Sequence, residues 1–158
     1  MSILKFLMLL SLIVWIGGII FFGAVLAPTV FTVLPTRHLA GSVVSPSLNR
    51  LHWTGVISGI VFLAASIIYT RMTTGVAQVF AARHVLMVIM LALTLTSQFA
   101  ITPKMATLRA SMGDIDNVRP SDPARVQFNS LHIWSTRLES GVLLLGLVVV
   151  YLTAAQLK

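Results

Sequence analysis

Residues 3–27 read ILKFLMLLSLIVWIGGIIFFGAVLA, and Lys5 is the one charged residue among them. A helix of this length crosses the ~30 Å hydrocarbon core of a bilayer, because each residue adds about 1.5 Å. A cleaved signal peptide would instead have an apolar region of about 7–15 residues that ends in a small-x-small cleavage site. The segment therefore predicts a retained transmembrane helix, which either ends at Ala27 or continues with a kink to Leu34.

Three more apolar segments follow, and each is continuous. Strands of a transmembrane barrel would alternate apolar and polar residues over about ten positions. The sequence therefore predicts an all-α integral membrane protein, a four-helix up-down bundle in one transmembrane domain that covers residues 1–158. The predicted helices are 3–27, 51–70, 83–112 and 123–156.

Helices 3 and 4 are predicted to extend beyond the bilayer. Met105, Leu108 and Met112 follow Pro103 at helical spacing, and Gly113 is placed to end helix 3. The Asp122-Pro123 pair is typical of a helix start, with Asp122 as the N-cap and Pro123 as the first residue of helix 4. The stretch 36–50, which is polar and rich in small residues, is expected to lie along the membrane surface.

The composition agrees with a membrane protein. Of 158 residues, 57% are hydrophobic and 9% are charged, whereas soluble domains have ~25% charged residues. This excludes an ordinary soluble enzyme. The net charge of +7 comes from basic residues spread thinly among apolar segments, so we expect lipid headgroups rather than nucleic acid as partners. With no cysteine, there is no disulfide, thiolate metal site or cysteine nucleophile.

The basic residues favour one orientation. We call the side that holds both termini side A, and the side that holds the loops 1–2 and 3–4 side B. Side A has Lys5, Arg71, Arg83 and Lys158, and side B has Arg37, Arg50, Lys104, Arg109, Arg119 and Arg125, with Arg137 at its edge. By the positive-inside rule, side B is predicted to be cytoplasmic, in a bacterial inner membrane.

The predicted topology places the four histidines at the two ends of the bundle. His38, His52 and His132 all belong to side B, whereas His84 begins helix 3 on side A. Three imidazoles at one end of a bundle suit copper, zinc or haem iron. The alternative is that these histidines form local hydrogen bonds at the membrane interface.

Other polar side chains reach the same depth. Glu139 is seven residues after His132, so the two lie on one face of helix 4, and Gln98 lies one turn inside side B on helix 3. An ionisable residue at membrane depth commonly faces the bundle interior and marks a pathway or a partner. We expect Glu139 and Gln98 to pair across helices, and Arg137 either to support this cluster or to extend to lipid phosphates.

Gly55 and Gly59 form a small-xxx-small pattern on helix 2, which lets helices approach closely. We expect this face to pack against helix 1 or helix 3. No Walker loop, Gly-x-Ser-x-Gly or His-Glu-x-x-His motif occurs, so we do not expect an enzyme.

Several short motifs occur along the chain in a recognisable order. They are Trp15-Ile-Gly-Gly18, Phe21-Phe22, Ala27-Pro28, Leu34-Pro35, Ala40-Gly41, Thr102-Pro103-Lys-Met-Ala-Thr-Leu-Arg and Phe128-Asn-Ser-Leu-His132. This order resembles the small four-helix membrane family that includes the human transmembrane protein linked to cisplatin resistance, whose bacterial members carry a domain of unknown function. More distantly, it is similar to the CopD copper-resistance proteins and the HemJ-type protoporphyrinogen oxidases.

The resemblance implies the fold more strongly than a function. HemJ-type proteins have a histidine in helix 1 just before the Trp-x-x-Gly stretch, and residues 9–14 here contain none. From the residues we expect metal-ion handling or haem handling through His52, His132, Glu139 and His38, with copper or haem as cofactor. One alternative is a non-catalytic accessory subunit, in a homo-oligomer or a larger membrane complex. Another is a transporter for a small organic or ionic solute, which would require oligomerisation because four helices alone line a poor pathway.

Overall fold

The computed structural model describes residues 1–156, and within that range it is all-α, with no strand. Four helices are long and apolar enough to cross a membrane: α1 (Ser2–Val33), α2 (Arg37–Thr74), α3 (Ala82–Met112) and α4 (Pro123–Gln156). This confirms the predicted fold class.

The four helices form an up-down bundle. Each packs against the next along the chain, and α4 closes the ring against α1. Large apolar side chains face outward along all four helices, as a lipid-facing surface requires. The core consists of side chains from every helix: Met8, Leu12, Trp15, Ile16, Ile19, Phe62, Ala65, Met87, Met90, Val142 and Val149.

The first two helices are longer than the predicted segments. α1 continues through Pro28 to Val33, in agreement with the kinked alternative. α2 starts at Arg37 rather than residue 51, so the stretch predicted to lie on the membrane surface is its first turns. Its start is fixed by Thr36, whose hydroxyl accepts the Leu39 N–H at 3.1 Å.

Helices α2, α3 and α4 meet again past the apolar core, at side B. Arg109 of α3 donates a hydrogen bond to the Gly41 carbonyl of α2, at 2.5 Å. Its guanidinium also lies over the Phe128 ring of α4, 5.4 Å from the ring centroid. With 38, 31 and 34 residues, these helices exceed the ~20 that a bilayer requires. Arg109 therefore joins the three helices near their side-B ends.

Removing the cap of α4 is expected to destabilise the protein. The Asp122 carboxylate accepts the Ala124 N–H at 2.8 Å, at the start of that helix. Asp122→Ala leaves this N–H without its partner, which lowers the free energy of unfolding by about 0.5–2 kcal/mol. Chemical unfolding in detergent measures the difference. Equal stability of Asp122→Ala and the wild type would contradict a capping role.

Two π-helical turns interrupt the regular helices. One covers Phe22–Leu26 in α1 and the other covers Ser97–Ile101 in α3. Such turns are rare and frequently occur at functional sites. The turn in α3 contains Gln98, and Pro103 follows it closely, so the backbone of α3 is irregular where the sequence places a polar side chain.

Candidate functional site

His52 lies at the centre of the bundle on the side-B half of α2. Only 1% of its surface is exposed, and both ring nitrogens have side-chain partners. Nδ1 is 2.8 Å from Gln98 Oε1 of α3, and Nε2 is 2.7 Å from Glu139 Oε1 of α4. A single imidazole thus links three helices inside an apolar bundle.

Asn49 extends this arrangement by one residue. Gln98 Nε2 donates to Asn49 Oδ1, so the hydrogen bonds run from Asn49 through Gln98 and His52 to Glu139. We call these four residues the polar cluster. The Glu139 side chain is 16% exposed, so a carboxyl group and an imidazole are both largely removed from solvent.

With the Asn49 and Gln98 amides in this orientation, the hydrogen-bonding groups assign the protons of the cluster. Because the Gln98 amide donates to Asn49 through Nε2, its carbonyl oxygen faces His52, and Nδ1 must carry a proton and donate. The contact between His52 Nε2 and Glu139 Oε1 then holds one further proton. It belongs either to an imidazolium that donates to a carboxylate or to a carboxyl that donates to a neutral ring. The pair has zero net charge in both descriptions.

The polar cluster opens to one side of the bundle. Asn49 and Gln98 line a groove of about 390 Å³ between α2 and α3. The lining residues are Ser45, Pro46, Asn49, Gln98, Thr102, Pro103 and Ala106. The groove lies on the side-B part of both helices, next to the Asn49 end of the cluster.

Toward side A the cluster is closed by apolar packing. Phe62 of α2 and Met87 and Met90 of α3 are all 0% exposed. They lie between the level of His52 and that of the Ser66–His84 contact near the other end of the bundle. Between the polar cluster and the Ser66–His84 contact, buried apolar side chains therefore fill the core of the bundle.

Small residues make room for this packing. A Cβ on Gly55 would overlap the Trp15 indole nitrogen of α1, and a Cβ on Gly59 would lie 2.7 Å from Leu91 Cδ2 of α3 and 2.9 Å from Trp15. The two glycines therefore face α1 and α3. This close approach places the Trp15 indole about one turn from His52 toward side A, and it lets α2 pack tightly against both neighbours.

The other residues predicted for the site lie elsewhere. His132 is exposed and lines a shallow outer groove of α4 that also includes Arg137. The Arg137 guanidinium lies over the Trp134 ring, 5.4 Å from its centroid. His38 is at the start of α2, where its backbone N–H donates to Asp116 Oδ2 at 3.1 Å. Thus His52, Gln98 and Glu139 are brought together, and within residues 1–156 no hydrogen bond or ion pair joins them to His38, His132 or Arg137.

Two features of the cluster were not predicted. Gln98 and Glu139 were expected to bond each other, whereas both bond His52, which lies between them. Asn49 was not identified. Asn49 could have been found from its spacing, because a polar residue three positions before His52 lies on the same face of α2.

This geometry does not provide a metal site. No group of three or more His, Asp or Glu side chains is placed to hold a metal ion within the described part of the chain. His52 Nε2 and Glu139 Oε1 contact each other directly. The four residues expected to bind copper or haem, His52, His132, Glu139 and His38, are therefore not gathered into one cluster.

Comparison with known protein families gives a match. A family model described as a domain of unknown function, DUF4149, matches residues 10–114. That range covers most of α1 and all of α2 and α3, and it contains Asn49, His52 and Gln98 but ends before Glu139. Searches of curated proteins and of solved structures returned no match.

Proposed function

The chain belongs to the DUF4149 family, and we propose that it is a proton-coupled membrane protein whose proton-binding centre is the His52–Glu139 pair. The observation that carries the proposal is the contact of 2.7 Å between a buried imidazole nitrogen and a carboxylate oxygen inside the bundle. Ionisable residues at this depth are costly in a membrane, and they typically mark proton relays or ion pathways.

The hydrogen-bonding groups of the polar cluster support reversible proton binding. When the shared proton leaves, His52 Nε2 and Glu139 Oε1 would face each other with lone pairs only. Reversal of the Asn49 and Gln98 amides removes this conflict: Asn49 Nδ2 donates to Gln98 Oε1, and Gln98 Nε2 donates to His52 Nδ1. The imidazole proton then moves to Nε2 and is donated to the carboxylate. All contacts are kept with one proton fewer.

The groove at Asn49 and Gln98 supplies the route for exchange. Its lining residues lie on the side-B part of α2 and α3, so in this proposal protons enter and leave from that side. Side B has the larger number of basic residues, so we propose that it is the cytoplasmic side of a bacterial inner membrane. The apolar layer of Phe62, Met87 and Met90 prevents passive leakage toward side A.

The other functions expected from the sequence are less well supported. Metal-ion or haem handling would require ligands beyond His52 and Glu139, and the accessory-subunit alternative rests on no particular contact. Closer kinship with the cisplatin-resistance-associated protein, CopD or HemJ-type proteins stays a prediction.

Proton uptake tests the proposal. Purified protein in weakly buffered detergent is moved from about pH 9 to about pH 4, the range in which imidazole and carboxyl groups titrate, and a pH-indicator dye counts the protons bound. We expect Glu139→Gln to bind one proton fewer per chain than the wild type, because the amide does not ionise and a buried imidazolium would lack a counter-charge.

Ser140→Ala is the matched control. Ser140 is the next residue of α4, is exposed, and donates its hydroxyl proton to the Thr136 carbonyl of the same helix. This variant should take up as many protons as the wild type. Equal uptake by Glu139→Gln and the wild type would show that the pair keeps its protonation state, and the proposal would then be wrong.

A further inference from the structure

Arg83 is buried at the opposite end of the bundle from the polar cluster. Its side chain is 2% exposed, at the start of α3. Nε donates to Ser66 Oγ of α2 at 2.8 Å. The two terminal guanidinium nitrogens, Nη1 and Nη2, are buried and have no hydrogen-bond partner among residues 1–156.

No acidic side chain is available to neutralise this cation. The chain has four acidic residues, and all lie within the described part: Asp114, Asp116, Asp122 and Glu139. The three aspartates belong to the loop and cap between α3 and α4 at side B, and Glu139 bonds His52. A buried charge without a counter-charge is strongly destabilising, and a guanidinium has up to four N–H groups on its terminal nitrogens to satisfy.

The start of α3 adds a partial positive charge beside Arg83. α3 has no side-chain cap and no acidic residue in its first turn, so the positive end of its dipole is uncompensated. Ser66 Oγ is also 2.7 Å from His84 Nε2, and His84 Nδ1 donates to the Gln78 carbonyl at 2.8 Å. This last bond ties the loop after α2 to the start of α3.

A second unpartnered group lies at the same level. A Cβ on Gly146 of α4 would lie 3.2 Å from Met90 Cε of α3. Thr153 follows Gly146 by seven residues, and Arg83 precedes Met90 by seven. Because α3 and α4 are antiparallel, Thr153 and Arg83 therefore lie at the same level of the bundle. Thr153 Oγ1 is buried and lacks a hydrogen-bond partner within residues 1–156.

We propose that Arg83 is the centre of an anion site on side A that binds a phosphate group. The planar fork of a guanidinium matches two phosphate oxygens, and its hydrogen bonds to a charged oxygen are strong. The phosphate belongs either to a phospholipid headgroup, since Arg83 is at the end of a membrane-spanning helix, or to a free phosphate ion. The proposal is independent of the proton-binding function.

Thermal unfolding of delipidated protein in detergent tests the site. Inorganic phosphate and a short-chain phosphatidylglycerol are added separately, with sodium chloride at equal ionic strength as the reference. At about 100-fold above Kd, a ligand raises the wild-type Tm by about 5 °C or more. A shift with the lipid alone identifies a headgroup site, and a shift with inorganic phosphate identifies a small-anion site.

Arg83→Gln should abolish either shift. Arg71→Gln is the matched control, because Arg71 is an exposed arginine at the same end of the bundle, and it should keep the full shift. If Arg83→Gln does not fold, Arg83→Lys replaces it, since a lysine keeps the charge but loses the two-nitrogen fork. A wild-type Tm that responds to neither phosphate compound more than to chloride, or a shift that Arg83→Gln and Arg83→Lys retain in full, would overturn the proposal.

Discussion

His52→Ala is expected to lower the free energy of unfolding by about 3–5 kcal/mol, because it breaks a buried pair by removing one partner. The change leaves the Glu139 carboxyl and the Gln98 carbonyl oxygen without the imidazole that both contact. It also creates a cavity at a position that is 1% exposed. Chemical unfolding in detergent measures the loss.

His132→Ala is the matched control for this measurement. His132 is also a histidine of side B but is exposed on α4, so its removal should change stability by no more than about 0.5 kcal/mol. Glu139→Gln should lose less than His52→Ala, since an amide keeps a hydrogen-bonding group opposite Nε2. If His52→Ala is no less stable than His132→Ala, the imidazole does not hold the three helices together.

Gly55→Ala is expected to destabilise the bundle by about 1–3 kcal/mol through overpacking. The added Cβ would overlap the rigid Trp15 indole of α1, and either that ring or the α2 backbone must shift. Gly59→Leu, which meets both Leu91 and Trp15, should also destabilise the protein. Thermal or chemical unfolding in detergent gives the size of both effects.

Gly17→Ala separates overpacking from a general effect of replacing glycine. A Cβ on Gly17 has no atom within 4 Å, and alanine is the better helix former by about 0.5–1 kcal/mol. This variant should be as stable as the wild type or more so. Equal stability of Gly55→Ala and Gly17→Ala would contradict the close contact between α1 and α2.

The fold was predictable because a bilayer leaves few choices. Each apolar segment must satisfy its backbone hydrogen bonds internally, which requires helices, and short connections make neighbours antiparallel. The start of α2 at Arg37 was missed because the stretch 36–50 lacks the apolar composition of a membrane span. It is helical all the same, and Arg109 supports it from α3.

The candidate site was predictable in part. His52, Gln98 and Glu139 could be placed at one depth from topology alone. Spacing gives the relative direction of residues within one helix, but it does not give the rotation of that helix toward its neighbours. For this reason His132 was grouped with Glu139 and is exposed. The rotation of α3 was likewise unknown, so Arg83 was counted as a membrane-flanking charge, whereas it is buried.

Nitrogen NMR of protein labelled at the histidine ring tests whether the His52–Glu139 pair binds and releases a proton, with His52→Asn used to identify the His52 signals. At acidic pH we expect a protonated Nδ1 and an Nε2 that shares a proton with Glu139. At alkaline pH we expect a bare Nδ1 and a protonated Nε2, because the Gln98 amide has reversed. A ring with the same two nitrogen signals at both pH values would contradict the proposal.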